Sequence, residues 1–171
     1  MLPFAALCCM KGAGFKKKGE TVMTKILFVC HGNICRSPMA EFVMKNLVEK
    51  AGLSSAFFIG SAATSREEIG NDIHPGTRRR LEALGIPYTS RRAVQMTAAD
   101  YDDYDLLIGM DRQNLRNMLR ITGGDPEGKL HLLLEYAGED GDIADPWYTG
   151  NFEETSDDIL CGCKGLLAAL S

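Results

Sequence analysis

Residues 29–41 read Val-Cys-His-Gly-Asn-Ile-Cys-Arg-Ser-Pro-Met-Ala-Glu, and they end an apolar run that starts at Ile26. Such a run is typical of a buried strand, and the Ser37-Pro38 pair is typical of a helix start. The stretch therefore predicts a loop that joins a strand to the N-terminus of a helix. Such a loop directs backbone N–H groups and the positive end of the helix dipole at one place, which suits a bound phosphate.

The two ends of this loop carry complementary chemistry, with Cys30 at one end and Arg36 at the other. A helix N-terminus and a nearby cation favour the thiolate form of a cysteine, which is its nucleophilic form. The planar guanidinium of Arg36 matches two oxygens of a phosphoryl group. We therefore predict that Cys30 attacks phosphorus while Arg36 binds the phosphoryl group. The alternative is that Cys30 is a small core residue at the end of a strand.

The residues between these two ends are candidate phosphate ligands through their backbone. They are His31, Gly32, Asn33, Ile34 and Cys35. Gly32 permits a close approach of the backbone, and Asn33 tolerates a left-handed conformation. We expect Ser37 to cap the helix and to donate a hydrogen bond to the Cys30 sulfur, with Pro38 in the first helical position.

A catalytic thiol needs an acid for the leaving group, and Asp145 is the candidate. It begins the sequence Asp145-Pro146-Trp147-Tyr148 within a Gly- and Asp-rich stretch. We predict that Asp145 protonates the departing group and then activates water, and that Trp147 and Tyr148 wall a slot for an aromatic ring. The alternative is that Asp145-Pro146 marks a turn and that the aromatic residues cover the core.

Together these features resemble the low-molecular-weight protein tyrosine phosphatase family, in its bacterial form, from Lys25 to Leu170. The resemblance rests on the signature at 30–41, on Met110-Asp111 with Asn114-Leu115, and on Asp145-Pro146. It implies a cysteine-dependent, metal-independent hydrolase that acts on a phosphotyrosine-containing protein or a small aryl phosphate. Inorganic phosphate or another oxyanion would also occupy the loop.

The resemblance also implies residue roles. Cys30 would be the nucleophile, Arg36 and the loop amides would bind phosphate, and Asp145 would be the general acid. Asn33 and Ser37 would support the loop. The residues implied to line the substrate slot are Ile34, Trp147 and Tyr148.

Two stretches depart from the family pattern. Many relatives carry a histidine that helps to hold the loop asparagine, whereas the corresponding residues 90–93 read Ser-Arg-Arg-Ala. Many relatives also place a tryptophan on the pocket rim in the loop after the second strand, whereas residues 65–68 read Ser-Arg-Glu-Glu.

Two other activities occur on this scaffold. Arsenate reductases of this type need a cysteine pair in mid-chain, but no cysteine lies between Cys35 and Cys161. We expect Cys161 and Cys163 to fill the core. Protein-arginine phosphatases carry threonine where Ile34 stands, and an apolar residue suits an aryl ring better. A non-enzymatic phosphate-binding or phosphotransfer module is a further alternative, although it would not need Asp145.

Cys35 is a candidate redox residue because the proposed loop brings it close to Cys30. Oxidation would form a reversible disulfide that protects Cys30 and switches the enzyme off. The alternative is that Cys35 simply packs beneath the loop.

Composition points to one globular domain of ordinary polarity. The chain has 171 residues, of which 25% are charged, and its net charge of −4 argues against nonspecific binding to nucleic acid. No apolar stretch approaches the roughly 20 residues of a membrane span. Its scattered histidines predict neither a metal site nor another cofactor. A reactive thiol requires a reducing compartment, so we expect a cytoplasmic monomer.

Residues 1–22 do not resemble the rest of the chain. They combine Cys8-Cys9 with a lysine run at 16–18 and lack the apolar region of a signal peptide. We expect a disordered extension, followed by a single domain at 23–171. The codons for residues 18–20 can form a bacterial ribosome-binding site, so Met23 is a candidate natural start. A native protein whose intact mass includes Met1 would refute that start.

The remaining pattern alternates strands and helices, which predicts a doubly wound α/β fold. A four-stranded parallel sheet would have helices on both faces, with the phosphate loop after its first strand. The expected strands are Lys25–Cys30, Phe57–Ser61, Asp105–Met110 and Leu130–Glu135. The expected helices are 38–51, 75–84, a short one opened by 97–100, one capped by Asp111 that runs to 121, and a last one opened by 151–154.

Overall fold

The computed structural model describes residues 22–171. The expected extension at 1–22 therefore lies, apart from Val22, outside the described residues. The four strands are β1 (Thr24–Cys30), β2 (Phe57–Ala63), β3 (Leu106–Gly109) and β4 (Leu130–Leu132). All pairings are parallel and the spatial order is β2-β1-β3-β4, which confirms the predicted fold class.

Helices connect these strands. They are α1 (Arg36–Lys50), α2 (Pro75–Ala83), α3 (Asp100–Asp103), α4 (Arg112–Thr122), α5 (Pro146–Thr149) and α6 (Phe152–Leu170), with two short 3-10 helices at Ser54–Ala56 and Leu133–Ala137. The predicted caps of α4 and α6 are confirmed, because Asp111 and Asn151 each accept a hydrogen bond from the backbone N–H three residues later.

Both faces of the sheet are covered, which explains the unbroken apolar run of β1. Ile26 and Phe28 are fully buried in the larger core, where α1 packs against the sheet and α6 packs against α1. The alternate residues Leu27 and Val29 lie in the second core, together with Met118 of α4. Since β1 is a central strand, its carboxyl end lies in the middle of the sheet edge that is formed by the carboxyl ends of the strands.

The predicted fourth strand, Leu130–Glu135, is wrong in its second half. The strand ends at Leu132, and the chain turns into the 3-10 helix that begins at Leu133. Helix α6 packs closely on this turn: a Cβ atom on Gly165 would lie 1.9 Å from the carbonyl oxygen of Tyr136. An apolar run cannot distinguish a strand from a turn that is buried beneath a helix.

Three local predictions are also corrected. Helix α1 begins at Arg36, so Pro38 is its third residue and Ser37 does not cap it. Cys163 is buried as expected, whereas Cys161 is exposed and fills no core. The stretch after Asp145 forms a four-residue helix.

No helix within residues 22–171 has the length and apolar character that crossing a membrane requires.

Candidate active site

The candidate active site lies where β1 ends and α1 begins. Cys30 is the last residue of β1, and its carbonyl oxygen accepts a hydrogen bond from the Thr64 N–H at 2.9 Å. Residues 31–35 form the irregular loop, and Arg36 opens the helix. Within residues 22–171, the N–H groups of Gly32, Ile34 and Cys35 have no hydrogen-bond acceptor. Free backbone N–H groups beside a helix N-terminus are the arrangement that proteins commonly use to bind anions.

The Cys30 thiol is held by hydrogen-bond donors. The N–H of Asn33 donates to Cys30 Sγ at 3.3 Å, and Ser37 Oγ lies 3.0 Å from the same sulfur. Ser37 Oγ accepts from Asn33 Nδ2 at 2.8 Å, so its own proton is directed to the sulfur or to the carbonyl of Ala62, 3.5 Å away. The shorter contact favours the sulfur, so two donors converge on Cys30 Sγ.

Asn33 fixes the shape of the loop from behind. It is fully buried, and its φ of 60° makes it the only residue other than glycine with a positive φ among residues 22–171. Its Nδ2 donates to Ser37 and Ser61, while its Oδ1 accepts from the N–H of Val94 at 3.2 Å. A strained conformation of this kind costs of order 1–3 kcal/mol and persists only where its surroundings hold it.

Arg91 supplies most of that support. Its Nη2 donates to Asn33 Oδ1 at 2.6 Å, and its Nη1 donates to the carbonyl oxygen of Asn33 at 3.1 Å. Its Nε lies 3.8 Å from a carboxylate oxygen of Glu41, a buried residue that also accepts from Ser61 Oγ. The sequence identified an arginine at 91 as a departure from the family. In the structure, this arginine holds the loop asparagine directly.

Arg36 is buried but has charged partners. Its side chain is 2% exposed, and Nη1 donates to Asp111 Oδ2 at 2.6 Å and to the carbonyl of Ile143 at 2.9 Å. Burial by itself would lower the pKa of the guanidinium. The negative charges of Cys30, Asp145 and Asp111 instead raise the Arg36 pKa above its ordinary value. Asp111 therefore orients Arg36 as well as capping α4.

Asp145 lies on the other side of the guanidinium. Its Oδ2 accepts from Arg36 Nη2 at 3.2 Å, and its Oδ1 accepts from the N–H of Trp147 at 3.1 Å, which caps α5. The cap and the arginine fix both carboxylate oxygens, so Asp145 faces the same pocket as Cys30.

One pocket brings these groups together. We call Cys30 and Arg36, together with Asn33 and Ser37 directly behind them, the pocket floor, and we call the outer part of the lining, formed by Glu67, Glu68, Trp147 and Tyr148, the pocket rim. The full lining comprises Cys30, His31, Gly32, Ile34, Cys35, Arg36, Glu67, Glu68, Asp145, Trp147 and Tyr148. Asn33 and Ser37 lie behind this lining and support it.

On the aromatic side of the rim, Trp147 packs against the ring of a neighbouring residue. The Trp147 ring meets the His74 ring edge-on with centroids 5.9 Å apart, and His74 stacks on Phe152 at 5.2 Å. Trp147 is 57% exposed and Tyr148 is 83% exposed. Together with the apolar side chain of Ile34, these exposed rings contribute apolar surface to the pocket lining.

Cys35 lies under the loop, where its thiol stays protonated. Burial, with the negative charges of Cys30 and Asp145, raises the pKa of Cys35 from 9.0 to about 12. Cys35 thus differs from Cys30, which has donors around its sulfur.

Every predicted site residue lies in or directly behind this pocket. The sequence did not identify Glu67 and Glu68 as pocket residues, nor Arg91 as the partner of Asn33. Neither contact follows a local pattern, because both depend on how separate loops meet at the edge of the sheet. Within residues 22–171, no group of three His, Cys, Asp or Glu side chains could hold a metal ion.

Known proteins match this chain over nearly all of the described fold. The family model described as "Low molecular weight phosphotyrosine protein phosphatase" matches residues 25–171. The low molecular weight protein-tyrosine-phosphatase YfkJ of Bacillus subtilis is 42% identical over 151 residues, which cover 86% of this chain and 96% of YfkJ. The YfkJ crystal structure superposes with a TM-score of 0.84 and covers 90% of this chain and 97% of its own.

Two further solved structures are informative. SP-PTP, a low molecular weight protein tyrosine phosphatase from Streptococcus pyogenes, is 41% identical with a TM-score of 0.79 and covers 87% of this chain and 94% of its own. DARP, a drosophila arginine phosphatase, is 29% identical with a TM-score of 0.79 and covers 86% of this chain and 97% of its own. The chain belongs to the low molecular weight phosphotyrosine protein phosphatase family.

Proposed function

We propose that this protein hydrolyses phosphotyrosine and related aryl phosphate monoesters through a phosphocysteine intermediate. The observation that carries the proposal is the convergence of Cys30, Arg36 and Asp145 on one pocket, with the Cys30 sulfur held by donors from Asn33 and Ser37. A nucleophile, an anion-binding fork and an acid at one place are the parts that phosphoryl transfer requires.

In the first step the Cys30 thiolate attacks phosphorus in line with the leaving oxygen. A sulfur–phosphorus bond forms as the phosphorus–oxygen bond breaks, and Asp145 gives its proton to the departing phenolate. The bound phosphoryl group takes the Nη2 donor of Arg36 that otherwise meets Asp145, and it brings negative charge close to that carboxyl.

In the second step water attacks the phosphocysteine. Asp145, now a carboxylate, accepts the proton of that water as its oxygen bonds to phosphorus. The sulfur–phosphorus bond breaks, the Cys30 thiolate re-forms, and inorganic phosphate leaves. The donors from Asn33 and Ser37 stabilise the sulfur as both nucleophile and leaving group.

The substrate slot favours an aryl ring over a guanidinium. Ile34 is buried and Trp147 lines the same pocket, so the slot offers apolar surface to the group next to the phosphate. Arginine phosphatase activity is the second candidate, because DARP shares the fold and Asp145 could serve a nitrogen leaving group.

Parallel phosphate release from phosphotyrosine and phosphoarginine peptides, without added metal, tests the proposal. We expect strong release from phosphotyrosine that is lost in Cys30→Ser. Faster release from phosphoarginine would overturn the assigned specificity, and normal turnover by Cys30→Ser would refute the mechanism.

Cys35 provides a reversible protection step in this proposal. Peroxide oxidises the Cys30 thiolate to a sulfenic acid, the Cys35 thiol condenses with it, and water leaves as the disulfide forms. We expect dithiothreitol to restore peroxide-inactivated enzyme, and to restore much less activity to Cys35→Ser. A catalytic cysteine that must stay reduced requires a reducing compartment, so the proposal places the enzyme in the cytoplasm. We further propose that it acts as a monomer.

A further inference from the structure

The pocket has two zones of opposite sign. On the floor, Arg36 is 2% exposed and its Nε has no hydrogen-bond partner within residues 22–171, which leaves a buried donor for an anion. On the rim, Glu67 and Glu68 line the same pocket. A Cβ atom on Gly32 would lie 3.2 Å from Cγ of Glu68, so this carboxylate-bearing side chain packs directly over the phosphate loop.

The loop that carries the two carboxylates, residues 65–71, is held in place by main-chain hydrogen bonds along its length. Its main-chain hydrogen bonds run from Ser65 N–H to the His31 carbonyl at 3.1 Å, from Gly70 N–H to the Ala93 carbonyl at 2.9 Å, and from Asn71 N–H to the Glu68 carbonyl at 3.0 Å. The negative charge is therefore held beside the pocket mouth.

Within residues 22–171, no lysine or arginine side chain pairs with these carboxylates. Glu67 is 71% exposed and lies 2.9 Å from His31 Nε2, while Glu68 accepts a hydrogen bond from the neutral amide of Asn71 at 2.6 Å. In the described part of the chain, no lysine or arginine nitrogen comes within 4.0 Å of either carboxylate. The neighbouring Arg66 instead donates to Gln95. Within the described residues Glu68 therefore has no basic partner and Glu67 has only the imidazole of His31, which leaves negative charge at the rim for a ligand.

We propose that Glu67 and Glu68 make the enzyme select phosphotyrosines that are flanked by lysine or arginine in the polypeptide substrate. The inference rests on the proposed function and names the substrate class of the same site. When a phosphotyrosine side chain reaches the pocket floor, the residues on either side of it in the substrate peptide lie at the rim. There the two carboxylates attract a basic neighbour and repel an acidic one.

Exposed charge pairs each change affinity only a few-fold, so the selectivity is moderate. With two carboxylates acting, we expect kcat/KM for a lysine-flanked peptide to exceed that for a glutamate-flanked peptide by about 5–20-fold at low ionic strength. High salt should reduce this ratio towards one, because it screens exposed charges.

The test compares three phosphotyrosine peptides that differ only in having lysine, glutamine or glutamate on both sides of the tyrosine. Wild type is compared with the double variant Glu67→Gln/Glu68→Gln. The control, Glu49→Gln/Asp102→Asn, removes the same charge from exposed positions elsewhere. Glu49 lies near the far end of α1, roughly 20 Å along the helix from the loop. The carboxylates also act on the phosphoryl charge common to all peptides, so the readout is the ratio between peptides.

We expect the lysine-to-glutamate ratio to fall to within about twofold of one in the rim variant and to be kept in the control. A ratio near one in wild type, or a ratio that survives in the rim variant, would overturn the inference. The glutamine-flanked peptide separates the two proposals. Its hydrolysis by wild type supports phosphotyrosine activity whatever the flanks do, whereas hydrolysis of none of the peptides would contradict the proposed function itself.

Discussion

The floor and the rim of the pocket are built in opposite ways. On the floor, Asn33 is fully buried and Arg36 is 2% exposed, and each side chain is held by several hydrogen bonds. On the rim, Trp147 and Tyr148 are 57% and 83% exposed. The floor fixes the reacting atoms within a network of buried polar groups, whereas the rim offers surface and charge to whatever enters.

This difference separates chemistry from selectivity. Removing one partner in a buried network leaves another polar group unpaired, which costs about 1–3 kcal/mol, and it also displaces the reacting atoms. Removing a rim side chain forfeits only its contact with the ligand. Floor variants should therefore lower kcat, and rim variants should mainly raise KM or change the preferred substrate.

Asp145 lies between the two regions, and its replacement should have the largest effect of the changes described below. Asp145→Ala removes both the acid and the base of the proposed mechanism, so we expect kcat for phosphotyrosine to fall by about 10²–10⁴-fold. The loss should be smaller for p-nitrophenyl phosphate, because its leaving group needs less protonation. Asp145→Asn keeps the helix cap but has no acidic proton. An active Asn variant would contradict the assigned role.

Substitution of Arg91 tests whether a residue that does not touch the reacting atoms positions the pocket floor. Arg91→Met removes the donors that hold Asn33 in its left-handed conformation, so we expect kcat to fall by about 10–100-fold with little change in KM. Arg91→Lys keeps the charge but not the two-point contact, and it should recover only part of the activity. The rate of iodoacetate attack on Cys30 should fall in parallel. An unchanged attack rate in the Met variant would show that Arg91 does not position the nucleophile.

Trp147 tests the rim. Trp147→Ala removes an exposed wall of the slot, and we expect KM for phosphotyrosine to rise by about 3–10-fold while kcat changes little. Tyr148→Ala is the matched comparison and should have a smaller effect, since its ring is the more exposed. A kcat loss as large as that of Arg91→Met would erase the distinction between rim and floor.

The smallest effect is expected for chemical modification of Cys35. Its pKa, raised to about 12, keeps it protonated in the folded state at pH values where an exposed thiol ionises. The higher pKa in the folded state therefore stabilises the fold at pH values below 9.0, the ordinary pKa of a thiol. This stabilisation is lost as the pH rises towards 12. At mildly alkaline pH, iodoacetamide should label the exposed Cys161 and spare Cys35 until the protein is denatured. Equal labelling, measured by peptide mass mapping, would contradict a buried neutral thiol.

Much of the fold and the floor was predictable because the signals are local. The apolar run before Cys30, the Ser37-Pro38 pair and the polar caps at Asp111 and Asn151 each report on their own surroundings, and the strand–loop–helix arrangement follows from them. The identity and order of the loop residues then specify an anion site whose geometry the backbone itself supplies.

What the sequence did not reveal depends on contacts between distant segments. Arg91 is far in sequence from the asparagine that it holds, and Glu67 reaches the pocket only because β2 ends beside β1. The break after Leu132 reflects the close packing of α6 on the next turn, which no local pattern encodes. Ser37 fits a helix cap in sequence but does not cap α1, whereas its predicted contact with the Cys30 sulfur is present at 3.0 Å.

The most direct test of the central claim is to trap the covalent intermediate. Asp145→Ala mixed with p-nitrophenyl phosphate should still form the phosphocysteine, because the leaving group departs unaided, but it lacks the base for hydrolysis. After an acid quench, peptide mass mapping should find one phosphoryl group on the peptide that contains Cys30, and none in Asp145→Ala/Cys30→Ser. Turnover without any phosphoryl group on Cys30, or a phosphoryl group on another residue, would contradict the account.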